Sequence, residues 1–372
     1  MKPVLITNML EFKAKNPTVE IVDHYAELIE EVFLIRNPKY KFGGDYKKEC
    51  EAFVTDHCGG KPIEAAGQWF YFPRDKKIVH YLPDTLHQEL RTARNKNIIT
   101  GEEQKKFYDF TVGIAGMSVG SHPALTISMM GGARRMKIAD PDIISGSNLN
   151  RIRYDFTKVG EKKCEVVEEL IYKMDPYADV RTYAEGINEQ NIAEFLDGPP
   201  KLDVLIEEID NLEMKIRLRL EARSRGIPVI MATDNGDNAI VDIERYDLDC
   251  NLQLFNGAAG DLTLEEFRNF PPMELPRLAT KIAGPKFVVP RMLESLFQVG
   301  KILYSWPQTG DAATLAGVAV AYAVKRLALH EPIKSGKLDV DLDAIFDPHY
   351  FEDSSVTARN AQRKELLGQI GL

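Results

Sequence analysis

Residues 111–121 decide the fold class of this chain, and they read Thr-Val-Gly-Ile-Ala-Gly-Met-Ser-Val-Gly-Ser. The first five predict a short apolar strand, and the small residues after them predict a tight loop before a helix that begins near Pro123. A second strand over residues 136–139 leads into Asp140, about 20 positions after the loop. A strand, a loop, a helix and a strand that ends in an acidic residue form the dinucleotide-binding fingerprint. An ordinary tight strand–helix turn has the same loop pattern, so the loop alone leaves both interpretations open.

Predicted strands and helices continue to alternate after Asp140. The hydrophobic pattern predicts helices over 161–173, 212–225 and 312–329, strands over 178–184, 202–206, 229–232 and 240–248, and a turn at 233–237. This alternation predicts an α/β fold with a Rossmann-like mixed, mostly parallel sheet and helices on both faces. Residues 249–309 are rich in Pro, Gly and aromatic residues and lack a clear period, which predicts an irregular lid or substrate loop.

The first 90 residues predict a separate, small N-terminal α+β region of unknown role, with helices over 25–35 and 46–54 and strands over 69–72 and 77–82. Its His80 and His87 are accompanied by no cluster of further ligands, so we interpret them as ordinary strand or surface histidines. Residues 91–335 form the predicted nucleotide-binding domain. Residues 336–372 are interpreted as an acidic, loosely ordered C-terminal tail.

Composition limits the classes of function that this chain can have. The 372 residues carry a net charge of −9, which does not favour nucleic acid as a partner. No apolar run reaches the length of a membrane span, and the N-terminus lacks the pattern of a secretory signal. The four scattered cysteines form no Cys-x-x-Cys pair. We therefore expect no structural zinc, no membrane and a reducing, cytoplasmic location.

The loop and the acidic residues that follow the strands are the candidate binding groups. Backbone N–H groups of a small-residue loop can approach a phosphate closely, and Gly116 and Gly120 supply part of that freedom. Ser118 and Ser121 stand where a strict Gly-x-Gly-x-x-Gly pattern has its other glycines. Asp140 can accept both ribose hydroxyls of a nucleotide, although a turn or helix cap, which Asp142 fits equally well, is the alternative interpretation.

Two charged residues stand out because of their positions. Lys163 lies on the first turn of a predicted helix, where a cation is unfavourable, and this suggests an anionic partner. Asp210 follows a buried strand, where a hard carboxylate near phosphates suits Mg²⁺. Asp210 together with Glu213 is also compatible with a simple N-cap pair.

Several motifs in order resemble the ThiF/MoeB/HesA family, whose nucleotide-binding fold is shared with ubiquitin-activating enzymes. The family pattern has a Gly-rich loop, Asp-x-Asp, Ser-Asn-Leu-x-Arg-Gln, Val-Gly-x-x-Lys and then Asp-Asn before a helix. After the loop at 116–121, this chain has Asp140-Pro141-Asp142, Ser147-Asn148-Leu149-Asn150-Arg151, Val159-Gly160-Glu161-Lys162-Lys163 and Asp210-Asn211. The resemblance covers residues 91–335 and leaves the N-terminal region and the tail outside it.

The resemblance implies an adenylyltransferase that joins ATP and a carboxylate into an acyl-adenylate and releases pyrophosphate. It places the ATP phosphates on the loop and the ribose on Asp140. It also implies that Arg151 and Lys163 neutralise phosphate charge, and that Asp210 holds Mg²⁺. Asp142 and Asn148 belong to the same implied nucleotide site. An arginine before the first strand reaches the partner subunit's ATP in this family; Arg94 is the candidate, and a homodimer is implied.

The chain also departs from the family pattern. Ile152 stands at the place of the usual Gln, Lys215 lies near the place of a family arginine, and the paired Cys-x-x-Cys is absent. Cys250 falls in the segment that often carries a catalytic cysteine, but sequence shows no electropositive setting for it, so adenylation without a later thioester is favoured. The acyl substrate implied is a carboxylate, for example that of a ubiquitin-like or sulfur-carrier protein.

Two other functions remain open at this point. An NAD- or FAD-binding oxidoreductase explains the strand–loop–helix unit and Asp140, but it leaves Asn148, Arg151, Lys163 and Asp210 without a role. A non-catalytic scaffold of the same fold, which binds nucleotide or only a partner protein, is compatible with the serine-substituted loop.

Overall fold

The computed structural model describes residues 1–260, 262–271 and 274–372. The chain forms two compact units. The first contains Met1–Tyr108 together with Glu168–Ala178, and the second contains Asp109–Val167 together with Asp179–Leu372.

The first unit is an α+β structure built on a four-stranded sheet. Its elements are β1 (Val4–Ile6), α1 (Met9–Lys15), β2 (Glu20–Val22), α2 (Tyr25–Arg36), α3 (Lys47–Cys58), β3 (Gln68–Phe72), β4 (Lys77–Tyr81), α4 (Asp84–Arg91) and α5 (Gly101–Asp109). The strand order is β1-β3-β4-β2, and only β2 and β4 pair in parallel. A capping box begins α5, since Glu103 Oε2 accepts the N–H of Thr100 at 2.7 Å and Thr100 Oγ1 accepts that of Glu103 at 3.3 Å.

Both histidines of interest in this unit have protein partners, and His80 is buried. His80, on β4, is stacked between Trp69 and Tyr25, with ring centroids 3.9 Å and 4.1 Å away. Its two ring nitrogens lie 3.0 Å from Asp23 Oδ1 and 2.7 Å from the carbonyl oxygen of Ala66. His87 Nε2 donates to the carbonyl oxygen of Met174 at 3.1 Å. These contacts give each histidine a structural role.

The second unit is built on a seven-stranded, mostly parallel sheet. Its elements, in chain order, are β5 (Thr111–Ala115), α6 (Ser121–Met129), β6 (Arg135–Ala139), the start of α7 (Lys163–Met174), β7 (Asp179–Tyr183), α8 (Ile192–Asp197), β8 (Val204–Glu207), α9 (Leu212–Ser224), β9 (Val229–Asn235), β10 (Asn238–Glu244), α10 (Leu264–Arg268), α11 (Leu275–Ala283), α12 (Pro290–Gln298), α13 (Gly310–Ala328), β11 (Gly336–Val340), α14 (Asp343–Phe346) and α15 (Asp353–Gln369). Residues 168–174 of α7 belong to the first unit.

The sheet order is β11-β10-β9-β8-β5-β6-β7, in which the five strands from β9 to β7 are parallel and β10 and β11 are antiparallel additions. Every residue of β5 is buried, as expected for a parallel strand covered on both faces. Helix α13 can approach α6 closely because Gly317 has no side chain; a Cβ there would lie 2.2 Å from the Cβ of His122. The predicted α/β class, with its Rossmann-like mixed sheet, is confirmed.

Two expectations about the C-terminal third are wrong. Residues 249–309 are not an irregular loop, because α10, α11 and α12 lie in them. These helices have only five to nine residues and are separated by Pro and Gly, so the sequence shows no sustained helical hydrophobic pattern there. The tail after residue 336 is ordered by pairing: β11 extends the sheet along β10, and α15 contributes Leu366 to a core cluster with Leu293 of α12.

Candidate functional site

The loop after β5 contains two positions that admit only glycine. Gly116 has φ +94°, and a Cβ there would lie 2.4 Å from the carbonyl oxygen of Glu208. A Cβ on Gly120 would lie 2.0 Å from the carbonyl oxygen of Gly116. Ser118, by contrast, is outside the residues with positive φ, so a side chain at this loop position causes no backbone strain.

The serines of the loop have distinct environments. Ser121 begins α6, and its hydroxyl donates to the carbonyl oxygen of Ser118 at 2.7 Å. The hydroxyl oxygen of Ser118 is buried and has no hydrogen-bond partner among the described residues. A buried hydroxyl without a partner at the start of a helix is suited to bind an anion together with the loop N–H groups.

Asp140 fastens the loop to the end of β6. Its Oδ2 accepts the N–H of Met117 at 2.6 Å, and its Oδ1 accepts the N–H of Asp142 at 2.8 Å. Burial raises the pKa of Asp140 above its ordinary value, against the opposing effects of Lys163 and of the two N–H donors. Asp140 is 5% exposed, so this carboxylate lies buried beneath the loop.

Lys163 forms ion pairs with Asp140 and Asp142. Its Nζ lies 2.8 Å from Asp142 Oδ2 and 3.9 Å from Asp140 Oδ2, and the residue is 6% exposed. The protein's own acidic side chains thus compensate a lysine on the first turn of α7. Asp142 is exposed at 66% of its side chain, which leaves this ion pair accessible from solvent.

Asn148 and Arg151 lie in a turn that packs on α6. Asn148 Oδ1 accepts the N–H of Ser145 at 3.0 Å and closes a capping box. The Arg151 guanidinium donates to the Ser147 carbonyl oxygen at 3.0 Å and to Asn150 Oδ1 at 2.9 Å. The carbonyl oxygen of Arg151 lies 2.5 Å from Nε2 of His122, the second residue of α6. This contact holds the Arg151 turn against the helix that follows the loop.

Residues 91–256 match the sequence model of the ThiF family. The chain contains a ThiF-family domain. An uncharacterized protein of Mycobacterium tuberculosis, MT1398, is 34% identical over 285 residues, which are 77% of this chain and 39% of that protein. The adenylyltransferase and sulfurtransferase UBA4 of Eremothecium gossypii is 26% identical over 172 residues, 45% of this chain and 38% of that protein. The chain therefore spans about two fifths of the length of these curated relatives.

A solved structure, that of E. coli MccB with ATP, shares 14% sequence identity with a TM-score of 0.46, and covers 84% of this chain and 82% of that one.

Within the residues that the structure describes, no helix is both long enough and apolar enough to cross a membrane.

Asp210 lies beyond β8 and is exposed. The N-cap of α9 is Asn211, whose Oδ1 accepts the N–H of Met214 at 3.0 Å. The interpretation of Asp210 with Glu213 as an N-cap pair is therefore wrong, because the cap falls one residue later. The carboxylate of Asp210 is available to a ligand of the ThiF-family domain.

Sequence reasoning missed one acidic residue of this site, Asp234. Residues 233–237 were expected to form a turn, but β9 continues to Asn235 and places Asp234 inside the strand. Burial raises the pKa of Asp234 to about 6; the like charges of Asp210 and Asp311 add to this, and Gln308 and Arg151 oppose it. Its place at the carboxyl end of a parallel strand, where such sheets bind ligands, was the available signal.

Arg94 lies in the first unit, on a short 3₁₀ turn over Ala93–Asn95, and its side chain is exposed. Its predicted contact with the ATP of a partner subunit stays a prediction, and so does the homodimer. The structure brings the loop, Asp140, Asp142 and Lys163 into contact at the carboxyl ends of β5 and β6, and the Arg151 turn contacts the helix after the loop. The joint role of these residues with Asn148 and Asp210 stays a prediction.

Proposed function

We propose that this chain is an ATP-dependent adenylyltransferase that activates a carboxylate as an acyl-adenylate. The observation that carries the proposal is the arrangement at the ends of β5 and β6. There a loop in which two positions admit only glycine is tied to the buried carboxylate of Asp140, and Lys163 Nζ lies 3.9 Å from Asp140 Oδ2. The ThiF-family match and the similarity to an adenylyltransferase and sulfurtransferase support the same conclusion.

The proposed roles follow from chemistry and position. The N–H groups of the loop and the hydroxyls of Ser118 and Ser121 bind the ATP phosphates, because they lie at the N-terminus of α6. Asp140 accepts the ribose hydroxyls, and Asn148 lines the same nucleotide site. Lys163 exchanges its contact with Asp142 for a phosphate oxygen when ATP binds.

The proposed reaction is a substitution at the α-phosphorus of ATP. A carboxylate oxygen of the substrate forms a bond to that phosphorus, and the bond from phosphorus to the oxygen bridging the β-phosphate breaks. Pyrophosphate leaves with the electron pair. Arg151 and Lys163 stabilise the negative charge that builds up on the phosphate oxygens, which is the dominant contribution expected for transfer at phosphorus.

Asp210 is the residue that we expect to hold Mg²⁺, because its carboxylate does not cap α9 and oxygen ligands suit this ion. The bound ion would neutralise phosphate charge. A homodimer in which Arg94 completes the partner's site, and a substrate such as the C-terminus of a ubiquitin-like or sulfur-carrier protein, extend the proposal. We also expect a cytoplasmic location.

Calorimetric titration with ATP·Mg²⁺, NAD and FAD tests the proposal. We expect ATP to bind with a Kd on the order of micromolar. Lys163→Ala should weaken ATP binding at least about tenfold, because it removes a buried cation from the site. A tenfold change in affinity corresponds to about 1.4 kcal/mol. Lys162→Ala is the matched control, because the neighbouring Lys162 contacts Ala184 and Glu185 instead. Tight binding of NAD or FAD that is indifferent to Lys163 would overturn the proposal in favour of an oxidoreductase.

A further inference from the structure

Asp234 is a buried carboxylate that lacks one of its partners. The residue is only 7% exposed. Its Oδ2 accepts a hydrogen bond from Gln308 Nε2 at 3.0 Å. Its Oδ1 is buried and, within the described part of the chain, has no hydrogen-bond partner. A buried carboxylate oxygen without a partner costs free energy, so an oxygen in this state at a ligand site is suited to binding a ligand.

The position of Asp234 places it beside the proposed ATP site. Strands β9, β8 and β5 are parallel neighbours in that order, so Asp234, Asp210 and the loop after β5 all follow the carboxyl ends of adjacent strands. Neighbouring strands are about 4.8 Å apart, which places Asp210 between Asp234 and the loop. A triphosphate that extends from the loop across the end of β8 would therefore reach a cation held by Asp210 and Asp234.

Arg151 does not pair with Asp234 directly. Its Nη1 donates to the carbonyl oxygen of Ser147 and to Asn150 Oδ1, and its Nε is buried without a hydrogen-bond partner among the described residues. No ion pair with this guanidinium therefore neutralises Asp234, and the free Oδ1 is suited to a positively charged ligand.

Gln308 fixes the orientation of the carboxylate. Its side chain binds Asp234 Oδ2, while its carbonyl oxygen accepts a hydrogen bond from Asn150 Nδ2 at 2.7 Å. Because one oxygen is held from the side of the Arg151 turn, the free Oδ1 is presented in a fixed direction. A preorganised oxygen favours a small, hard cation with strict geometry over a mobile organic ammonium group.

We propose that Asp234 is, together with Asp210, a carboxylate ligand of the divalent cation that accompanies ATP. This inference rests on the proposed adenylyltransferase function. Mg²⁺ is usually held by one or two carboxylates, the phosphates of its substrate and several waters, and these two aspartates match that ligand set. Among the described residues there is no group of three or more His, Cys, Asp or Glu side chains arranged to hold a metal. The cation should therefore bind only when nucleotide supplies the remaining ligands.

Manganese provides a direct probe of this site. Free Mn²⁺ is measured by electron paramagnetic resonance while the full chain is titrated with and without a non-hydrolysable ATP analogue, and the Mn²⁺ that the analogue binds by itself is measured without protein and subtracted. ATP binding in EDTA is measured separately by calorimetry. For wild type we expect Mn²⁺ binding only with the analogue. Asp234→Asn, which keeps an acceptor for Gln308, should weaken that Mn²⁺ binding at least about tenfold. It should not weaken metal-free ATP binding, because it removes negative charge beside the phosphates.

Asp311→Asn is the matched control, because Asp311 is exposed on the first turn of α13 and removing it tests the electrostatic field alone. Its Mn²⁺ affinity should stay within about threefold of wild type. Gln308→Ala offers a second variant that retains the carboxylate but frees its orientation, and it should weaken Mn²⁺ severalfold. Wild-type Mn²⁺ affinity in both Asp234→Asn and Gln308→Ala, or an equal loss in Asp311→Asn, would overturn the inference. Failure of the wild type to bind ATP·Mg²⁺ would overturn the proposed function with it.

Discussion

The buried ion network around Arg219 should control the stability of the second unit. Arg219 of α9 is 0% exposed and forms ion pairs with Glu207 of β8 and Glu244 of β10, the latter at 2.6 Å. Its guanidinium also lies 4.0 Å from the ring centroid of Phe255. Phe255 has φ +54°, and its N–H donates to Glu244 Oε1 at 2.6 Å. One arginine therefore links a helix, two strands and a strained turn.

Arg219→Met removes the cation and leaves two buried carboxylates. Glu207 still has Lys215 at 3.1 Å, but Glu244 keeps only neutral donors, the Tyr246 hydroxyl at 2.5 Å and the Phe255 N–H. Breaking a buried pair by removing one partner costs about 3–5 kcal/mol. Because whole domains are stable by about 5–15 kcal/mol, we expect the variant to lose a large part of the stability of this unit.

The assay is urea denaturation followed by circular dichroism, with hydrogen exchange of peptides from β8, β9 and β10 to separate this unit from the first. Lys215→Met is the matched control and should cost only about 1 kcal/mol, because Arg219 continues to neutralise Glu207. The double variant Arg219→Met with Glu244→Gln should lose less than the sum of the single losses, by about 1–3 kcal/mol. Additive losses, or a cost for Arg219→Met no larger than for Lys215→Met, would refute the electrostatic explanation.

Two further predictions concern the loop and the first unit. Gly116→Ala should cost about 1–3 kcal/mol in strain and abolish ATP binding in calorimetry, because its Cβ would lie 2.4 Å from the carbonyl oxygen of Glu208. Gly101→Ala is the control and should leave ATP binding intact, because the space around Gly101 is open. Normal ATP binding by Gly116→Ala would contradict the assignment of the loop to the ATP site. Burial lowers the pKa of His87 below its ordinary value, with Arg91 adding to the effect and Asp175 opposing it, so the first unit should lose stability as pH falls below about 6.5. His87→Gln should reduce that loss in thermal melts between pH 7.5 and 5.5, and an unchanged pH profile would count against it.

The sequence predicted the elements that have a clear hydrophobic pattern or a turn set by neighbouring residues. The strand over 111–115, the loop after it and the helix over 312–329 are found where their patterns predict them, as β5, the glycine turn and α13 (Gly310–Ala328). Helices α10, α11 and α12 were missed because each has only five to nine residues, which are too few to show a helical hydrophobic period. The C-terminal strand β11 was missed because it becomes a strand only by pairing with β10.

Candidate site residues divide in the same way. Gly116, Asp140, Arg151, Lys163 and Asp210 could be proposed from the sequence because they follow strands or lie in ordered motifs. Asp234 was missed since nothing in the local sequence distinguishes a turn aspartate from one that a seven-residue strand carries into the interior.

The sequence by itself determined the order of strands, loop and acidic residues, because backbone propensity, hydrophobic period and glycine freedom act within a few residues. Only the tertiary structure decided which carboxylates are buried and which cations they meet. Asp234 acquires its environment from Gln308, 74 positions away, and Lys163 acquires its partner from Asp142, 21 positions away. Burial and charge pairing depend on distances in space, which the linear order does not contain until the sheet has assembled.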